Sequence, residues 1–392
     1  MPKRRAFTLV ELLVTIVIIM MLTAIAIPVL APALAGRRQR EASREVTSYF
    51  AQARDTAMST GRATGVMLER FTGAGNASTS ALIKAGLPAP TPVPEMCLTL
   101  WQVEVPPPYS GDTLYSRALV VGGFGSGAIA GLGTPGGGAP EGFGLVRIGD
   151  YIKFNAQGHQ YQIISGAIES DSNIPYNSTT MRYLAPPTSA NPWQIVPTGG
   201  TTALVPDFPL GVPYQIMRQP VKTSTPPLQL PEGIVVDLAA SGMMPASTTP
   251  ITPFGLSFCP LDDTNANQPF FPNDVIPVVV LFSPTGSVER IACSGPDASG
   301  QPTPYALPPT TPIFLLLGQR DKVPAANSAG AENWRDPTNL WITIFPQNGL
   351  VTSTENVPLN PPSGQPFATG SYAGDLAAAR RLALEGQTLG GR

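Results

Sequence analysis

A long apolar segment near the N-terminus constrains this chain more than any other feature. From Leu12 to Ala35 the sequence has no charged residue, and Glu11 stands immediately before this run of 24 residues. A helix of that length can cross about 30 Å of hydrocarbon. A carboxylate at bilayer depth is costly, and such residues usually have a function. The segment therefore predicts a membrane-inserted helix in which Glu11 has a specific role.

The residues that flank the apolar run leave three interpretations open. Basic residues precede the run, which favours a cytoplasmic N-terminus, but others follow it, so the charge asymmetry is not clean. The first interpretation is a signal peptide cleaved after the "ALA" at 33–35, and the length of the run and Glu11 argue against it. The second is a plain membrane anchor, which explains the length but not Glu11. The third is a retained helix that follows a short processed leader. The flanking basic residues are Lys3, Arg4, Arg5, Arg37, Arg38 and Arg40.

The third interpretation depends on the stretch "RRAFTLVELL" at 4–13. It resembles the processing motif of type IV prepilins, in which a short basic leader and a small residue precede Phe, Thr, Leu, a variable residue and Glu. The resemblance implies that a prepilin peptidase cuts between Ala6 and Phe7, that Phe7 is N-methylated, and that the apolar helix is kept. Ala6 stands where the family usually has glycine. Short motifs match by chance more often than long ones, and the resemblance covers only the start of the chain.

The same resemblance implies an assembly role for two residues of the helix. Cleavage after Ala6 creates an amine at Phe7, and the family pairs the glutamate with that amine of a neighbouring subunit, so Glu11 would set the register between subunits. A buried carboxylate needs such a partner because an unpaired buried charge costs several kcal/mol. Pro28 stands where pilin-like helices loosen during assembly, since proline removes one helical hydrogen bond. Pro32 is explained equally well as a tolerated membrane-helix proline.

An amphipathic helix is predicted for residues 36–61, directly after the apolar run. Its apolar side chains recur at spacings of three and four, as they do on a helix that packs against a sheet, and Gly61 is a plausible stop. The passage "ARDTAMSTGRATGVML" at 53–68 resembles the helix-to-strand passage of H-type minor pseudopilins, which implies a helix half embedded in a β domain. The apolar stripe consists of Ala42, Val46, Tyr49, Phe50, Ala53 and Ala57.

The remainder of the chain, 62–392, reads as a β-rich domain with many turns. The 45 prolines and 39 glycines of the whole chain are scattered without a collagen period. Val, Ile and aromatic residues favour strands in several short runs, and "FSPTGSV" and "FPQNGLV" share a hairpin spacing with Gly before the second strand. Pilin-like domains need fewer residues, so about 72–225 is interpreted as an insertion or an added β subdomain. The predicted strands are 96–105, 151–155, 160–168, 233–238 and 275–282, the hairpins are 282–288 and 345–351, the loops are 72–95 and 122–142, and a last helix is 374–391.

Several patterns that suggest a chemical site are better explained without one. "GFGSGAIAG" mimics a dinucleotide loop, but Pro and Gly follow where a helix would have to begin. His159, the one histidine, is in a turn that enters a strand and is interpreted as solvated. The oxygen-rich cluster Asp262, Asp263, Asn265 and Asn267 fits no EF-hand and is interpreted as a turn, although calcium binding stays open. Of the three cysteines, Cys259 and Cys293 are the nearer pair and the disulfide candidate, with Cys97 left over, although sequence cannot fix the pairing.

The composition argues against one further class of function, nucleic-acid binding. Charged residues make up 13% of the chain and the net charge is −2, so nucleic-acid binding is not expected. No catalytic set, metal site or cofactor is predicted. The predicted fold is α+β and pilin-like, with a leader at 1–6, a transmembrane and assembly helix at 7–35, an amphipathic helix at 36–61 and a β-rich domain at 62–392.

The resemblance implies a minor pilin or a type II secretion pseudopilin. It would be held in the bacterial inner membrane by a single span, with its C-terminal domain extracytoplasmic, before it joins a filament. Its partners would be other pilin subunits, the prepilin peptidase and methyltransferase, the inner-membrane assembly platform and membrane lipid. The alternative is a membrane-anchored extracytoplasmic enzyme or carbohydrate-binding module that uses a pilin-type leader.

Overall fold

The structure is a computed structural model of the chain. It describes residues 9–71, 93–121, 127–133, 145–147, 149–156, 159–165, 193–197, 208–243, 257–259, 261–262, 265–269, 274, 276–296, 302–323, 332–357 and 372–389.

Two α-helices and twenty strands are present within these ranges. Short 3-10 helices occupy Arg320–Lys322 and Asn333–Arg335. The α-helices are α1 Leu9–Thr60 and α2 Tyr372–Leu389. The strands are β1 Thr64–Phe71, β2 Val93–Glu104, β3 Arg117–Val121, β4 Gly127–Gly133, β5 Tyr151–Phe154, β6 Gln160–Ser165, β7 Trp193–Pro197, β8 Phe208–Val212, β9 Tyr214–Met217, β10 Val221–Lys222, β11 Leu228–Gln229, β12 Ile234–Met243, β13 Leu261–Asp262, β14 Asn265–Pro269, β15 Val278–Phe282, β16 Val288–Pro296, β17 Pro302–Leu307, β18 Ile313–Gln319, β19 Leu340–Ile344 and β20 Val351–Glu355.

The C-terminal part of α1 lies inside an eleven-stranded antiparallel sheet, called here the first sheet. Its strand order is β17-β16-β15-β1-β2-β12-β18-β19-β20, with β10 and β11 also paired to β2. One hydrophobic core joins the predicted stripe of α1, Ala42 to Ala57, to side chains from strands at both ends of that order. The amphipathic prediction is therefore confirmed at the level of individual residues. Gly61 ends the helix as predicted, with a φ of 67° and a hydrogen bond from its amide to the Ala57 carbonyl.

The first sheet curls until its two outer hairpins meet over the C-terminal end of α1. The turn after β15 and the turn after β19 are the two predicted hairpins, and each has a glycine with positive φ, Gly286 and Gly349. The Val288 amide donates a hydrogen bond of 2.8 Å to the Pro346 carbonyl, which joins the two turns. The sheet thus covers the apolar face of α1, and the opposite face, with Arg44, Ser48, Gln52 and Asp55, stays exposed.

A second sheet of seven strands has the order β8-β3-β4-β7-β6-β5-β9. Its first and last strands follow each other along the chain with only Pro213 between them, so the segment 208–217 pairs with β3 through its first half and with β5 through its second. The sheet therefore closes into a ring. All its strands lie within the 72–225 range interpreted as an insertion, but β2 lies there too and belongs to the first sheet.

The segment that leads into the second sheet and the segment that leads out of it run side by side. Tyr109, on the outgoing segment, and Ile216, on β9, exchange two backbone hydrogen bonds of 2.8 and 2.7 Å. The Arg218 guanidinium donates to the Pro107 carbonyl from Nε and Nη2, at 3.2 and 3.1 Å. The chain thus enters and leaves the second sheet at neighbouring points.

Helix α2 packs on a separate cluster of side chains that includes Phe314, Trp334 and Trp341. Arg380 of α2 is fully buried there and donates to the carbonyls of Met243 and Ala240 at 2.9 and 2.5 Å. The predicted last helix is confirmed, although it begins before Asp375 and continues beyond Gly386.

The α+β class is confirmed. The five predicted strands are present, but the one predicted at 233–238 continues for five more residues, to Met243. The predicted loop at 72–95 is wrong at its end, because β2 begins at Val93. The predicted loop at 122–142 is wrong in its middle, because β4 occupies part of it. Pairing with β3 and β7 supplies the hydrogen bonds that favour a strand where the glycine-rich text does not. Among the residues that the structure describes, no helix combines the length and the apolarity that crossing a bilayer requires. The transmembrane span at 7–35 stays a prediction.

Candidate assembly helix

The residues predicted for processing and assembly lie at or before the start of α1. Ala6 and Phe7 are outside the described residues. Glu11 lies in the first turn of α1 and is exposed. The helix continues without a break through Pro28 and Pro32, so a loosened helix at Pro28 during assembly stays a prediction.

The start of α1 presents apolar side chains on every face. From Leu9 to Leu22 the large apolar residues are exposed, from 44% at Ile16 to 80% at Leu9. The hydroxyls of Thr15 and Thr23 donate to carbonyls of their own helix, at 2.8 and 2.6 Å, so these two polar groups are satisfied within the helix. Soluble monomers rarely expose contiguous apolar surface of this extent. This stretch is therefore the surface of the described chain best suited to contact lipid or other apolar helices.

The end of α1 is held in place by polar contacts as well as by its apolar stripe. The Gln39 side chain is buried and donates from Nε2 to the Leu317 carbonyl of β18. The Tyr49 hydroxyl accepts a hydrogen bond of 2.9 Å from the Gln102 amide and donates to the Pro226 carbonyl at 3.2 Å. Burial raises the pKa of Tyr49, so this hydroxyl keeps its proton. These contacts fix the depth and rotation of the helix within the first sheet.

The turns over α1 leave no room for larger residues. A Cβ on Gly286 would lie 2.8 Å from the Met58 sulfur and 3.2 Å from Arg54 Nε. A Cβ on Gly349 would overlap the Gly286 carbonyl oxygen. Together the two turns form a clasp, defined here as residues 282–288 and 345–351 around Arg54 and Met58. The sequence predicted each turn but gave no sign that the two turns touch.

A buried ion pair beneath α1 was missed by the sequence reasoning. Arg70 Nη2 forms an ion pair with Asp274 Oδ2 at 3.0 Å and donates to Ser294 Oγ at 2.9 Å and to the Phe258 carbonyl at 2.8 Å. Its Nε donates to the Ile276 carbonyl at 2.6 Å. The signal available in sequence was an arginine at the core-facing position of "VMLERF". The arrangement joins four segments structurally and does not resemble a catalytic set.

A buried carboxylate lies in the same region. Glu95 is fully buried, and neither of its carboxylate oxygens accepts a hydrogen bond within the described residues. Its pKa is raised to about 7, mainly by burial and in part by the nearby charge of Asp237. A hydrogen bond from its own amide and the charge of Arg70 lower the pKa by smaller amounts. Asp237 itself accepts hydrogen bonds from the amides of Ala239 and Ala240 and from Asn333.

The three cysteines are free and buried. Cys97, Cys259 and Cys293 all belong to the core around α1, and the candidate pair Cys259 and Cys293 is not joined in the structure. Burial raises the pKa of the three thiols to about 12, 12 and 11, so they stay protonated and unreactive. Within the described ranges, no group of three or more His, Cys, Asp or Glu side chains could hold a metal ion.

The other sequence candidates lie apart from this region. His159 is exposed immediately before β6. Gly127 and Ala130 lie on β4, while Gly125 is outside the described residues. Asp262 and Asn265 are paired across the small β13–β14 hairpin, and Asp263 is outside the described residues. Asn267 lies on β14 beside this pair.

Comparison with known proteins adds one finding to this geometry. Residues 1–27 match the family model of the prokaryotic N-terminal methylation motif. No curated protein and no solved structure matches the chain. The matched segment contains Ala6, Phe7 and Glu11 and runs into the exposed apolar part of α1. The match supports a type IV pilin-like precursor, and its motif implies processing by a prepilin peptidase and assembly with pilin-type subunits.

Proposed function

We propose that this chain is a structural subunit of a pilin-like filament, either a minor pseudopilin of a type II secretion system or a minor type IV pilin, and that it is not an enzyme. One observation carries the proposal. A methylation motif leads into a single helix that is apolar and exposed at its start and enclosed by a β domain at its end. A helix of this kind can join an apolar bundle while its far end carries a folded domain.

The finer parts of the proposal concern the membrane and the position in the filament. Before assembly, residues 7–35 would hold the chain in the inner membrane, with the β domain outside the cytoplasm. The passage at 53–68 favours the H-type minor pseudopilins. The second sheet makes the subunit large, and a large subunit fits poorly along a dense shaft, so a place at or near the filament tip is favoured.

Processing is the direct test of the proposal. Mass spectrometry of the chain purified from membranes should give an N-terminus at Phe7 that carries a methyl group. Replacing Ala6 with glycine should give at least the same extent of processing, and a bulky residue there should block it. A mature chain that begins at Gly36 would establish the signal-peptide interpretation and overturn the proposal.

Replacement of Glu11 separates assembly from simple anchoring. Glu11→Leu removes the charge and makes the segment more apolar, so membrane insertion should be kept or improved. Incorporation should fail, because the Phe7 amine of a neighbouring subunit would be buried without a counter-charge. The measurement is crosslinking to filament partners, with membrane level and Phe7 methylation followed in parallel. Leu13→Met, a change within the same exposed stretch that alters no charge, is the matched control and should incorporate normally. Normal incorporation of Glu11→Leu would remove the proposed role of the glutamate.

A further inference from the structure

Four exposed arginines lie on α1 between its exposed apolar start and its enclosed end. They are called here the arginine collar and consist of Arg37, Arg38, Arg40 and Arg44. Arg37, Arg40 and Arg44 are spaced by three and four residues and therefore share one face of the helix. The intervening Gln39, Ala42 and Ser43 are buried, so Arg37, Arg40 and Arg44 lie on the side of the helix that faces away from the first sheet, and Arg38 lies at the edge of that side.

The collar has little local compensation for its charge. None of the ion pairs found among the described residues includes these four arginines. Like charges at spacings of three and four destabilise a helix when no counter-charge is present. Glu41 and Glu45 lie on the same two turns of the helix, but the stretch keeps a net positive charge. A collar of this kind favours an anionic surface as its partner.

The position of the collar indicates which anionic surface that is. It follows the apolar segment directly, and the other basic residues near that segment, Lys3, Arg4 and Arg5, lie in the leader that cleavage after Ala6 would remove. After processing, the collar contains the basic side chains nearest to the apolar segment. Juxtamembrane arginines are attracted to anionic lipid headgroups within about one Debye length.

We infer that the arginine collar binds the phosphate groups of anionic phospholipids on the extracytoplasmic face of the membrane and holds the β domain against that surface before the subunit joins a filament. This inference depends on the proposed membrane anchor. Each arginine close to an anionic surface is worth about fivefold in association. The interaction weakens as salt rises, because salt screens exposed charges.

The test uses the full processed chain reconstituted into vesicles of phosphatidylcholine, with or without phosphatidylglycerol. Exposed Ser48 is replaced by cysteine and labelled, which is selective because the three native thiols are buried. Energy transfer from this label to a headgroup dye reports how closely the domain approaches the surface. Transfer should rise with phosphatidylglycerol and fall at high salt. Replacing all four collar arginines with glutamine should remove both dependences.

A second variant controls for charge alone. Glutamine replaces four exposed arginines elsewhere, and this variant should behave like the parent chain. Equal energy transfer from the parent chain and the collar variant would overturn the inference. If that variant also lost its crosslinking to partner subunits, the partner of the collar would be protein and not lipid. Flotation of the vesicles tests the anchor separately: a chain that floats with neither vesicle removes the anchor and the inference together. The control positions are Arg62, Arg117, Arg320 and Arg381.

Discussion

The first and second sheets enclose their cores in different ways. The first sheet curls around a helix, and six side chains of α1 belong to the core that it encloses. The second sheet closes on itself through the segment 208–217, and the buried residues of its core all come from within 109–216. The core of the first sheet therefore includes side chains from the helix α1. The core of the second sheet is formed by residues 109–216 alone. If the chain acts as the proposed filament subunit, its attachment to the filament is coupled to the stability of the first sheet alone.

Removal of α1 should have the largest effect. A chain that begins at Gly36 should fold, whereas one that begins at Thr64 should lose the first sheet, because burial of a large apolar side chain contributes about 1.5–3 kcal/mol and whole domains are stable by only about 5–15 kcal/mol. The segment 105–221 should fold by itself, since it contains the complete second core. Circular dichroism and cooperative urea unfolding measure both outcomes. A folded first sheet in the shorter chain would remove the proposed dependence.

Matched phenylalanine substitutions should show whether the sheets unfold independently. Phe50 packs edge to face on Phe282 in the first core, and Phe154 packs on Tyr161 in the second. Phe50→Ala should lower the stability of the first sheet by about 3–5 kcal/mol, as core truncations of this size do, and leave the second transition in place. Phe154→Ala should do the reverse. The measurement is a denaturant titration with two resolved transitions, and a joint shift of both by either variant would contradict independence.

The clasp should make substitution of Gly349 more destabilising than substitution of Gly61, which has similar backbone geometry. Gly349 and Gly61 both have positive φ, at 61° and 67°, but a Cβ on Gly61 would meet nothing within 4 Å. Gly61→Ala should cost about 1–2 kcal/mol, from the backbone alone. Gly349→Ala should cost about 3 kcal/mol, because overlap with the Gly286 carbonyl adds to the backbone cost. Equal losses in urea unfolding would mean that the clasp yields without a penalty.

A pH-dependent effect is expected from one buried carboxylate in each sheet. Burial raises the pKa of Glu95 to about 7, and burial raises that of Asp150 to about 7 although its oxygens accept hydrogen bonds of 2.7 Å from the Arg147 and Gln219 amides. A raised folded-state pKa contributes stability that is present below the ordinary value near 4 and is lost as the pH rises through about 7. Each sheet should therefore lose stability, on the order of 4 kcal/mol, across that window.

Neutral variants should separate the two carboxylates. Glu95→Gln should make the stability of the first sheet less dependent on pH, because the glutamine amide does not ionise. Asp150→Asn should destabilise the second sheet by about 1–3 kcal/mol at all pH values, since asparagine has one acceptor oxygen for two amides. Urea unfolding from about pH 5 to about pH 8 measures both. Identical responses would show that the hydrogen bonds to Asp150 are unimportant.

The parts of this fold that local sequence determines were predictable. The stripe from Ala42 to Ala57 follows from helical periodicity, and Gly286 and Gly349 follow from turn chemistry. Contacts between distant segments were not predictable: the meeting of the two turns, the Arg70–Asp274 pair and the ring closure at Pro213 depend on strand order, which local patterns do not encode. The glycine-rich β4 was missed because its pairing partners, not its own residues, favour the strand. For the assembly site, the motif located Ala6, Phe7 and Glu11, and their roles stay predictions.

The enclosure of α1 has a consequence for the order of folding. The helix is among the first segments to be synthesised, but its Phe50 packs on Phe282, more than half the chain away, and the clasp includes residues up to 351. Contacts between segments so far apart in sequence form slowly, because a long loop must close before they contribute. The apolar stripe of α1 would therefore stay uncovered until the last strands have been synthesised. During that interval the chain would be at its most prone to aggregation, and a chaperone that covers the stripe would have its greatest effect.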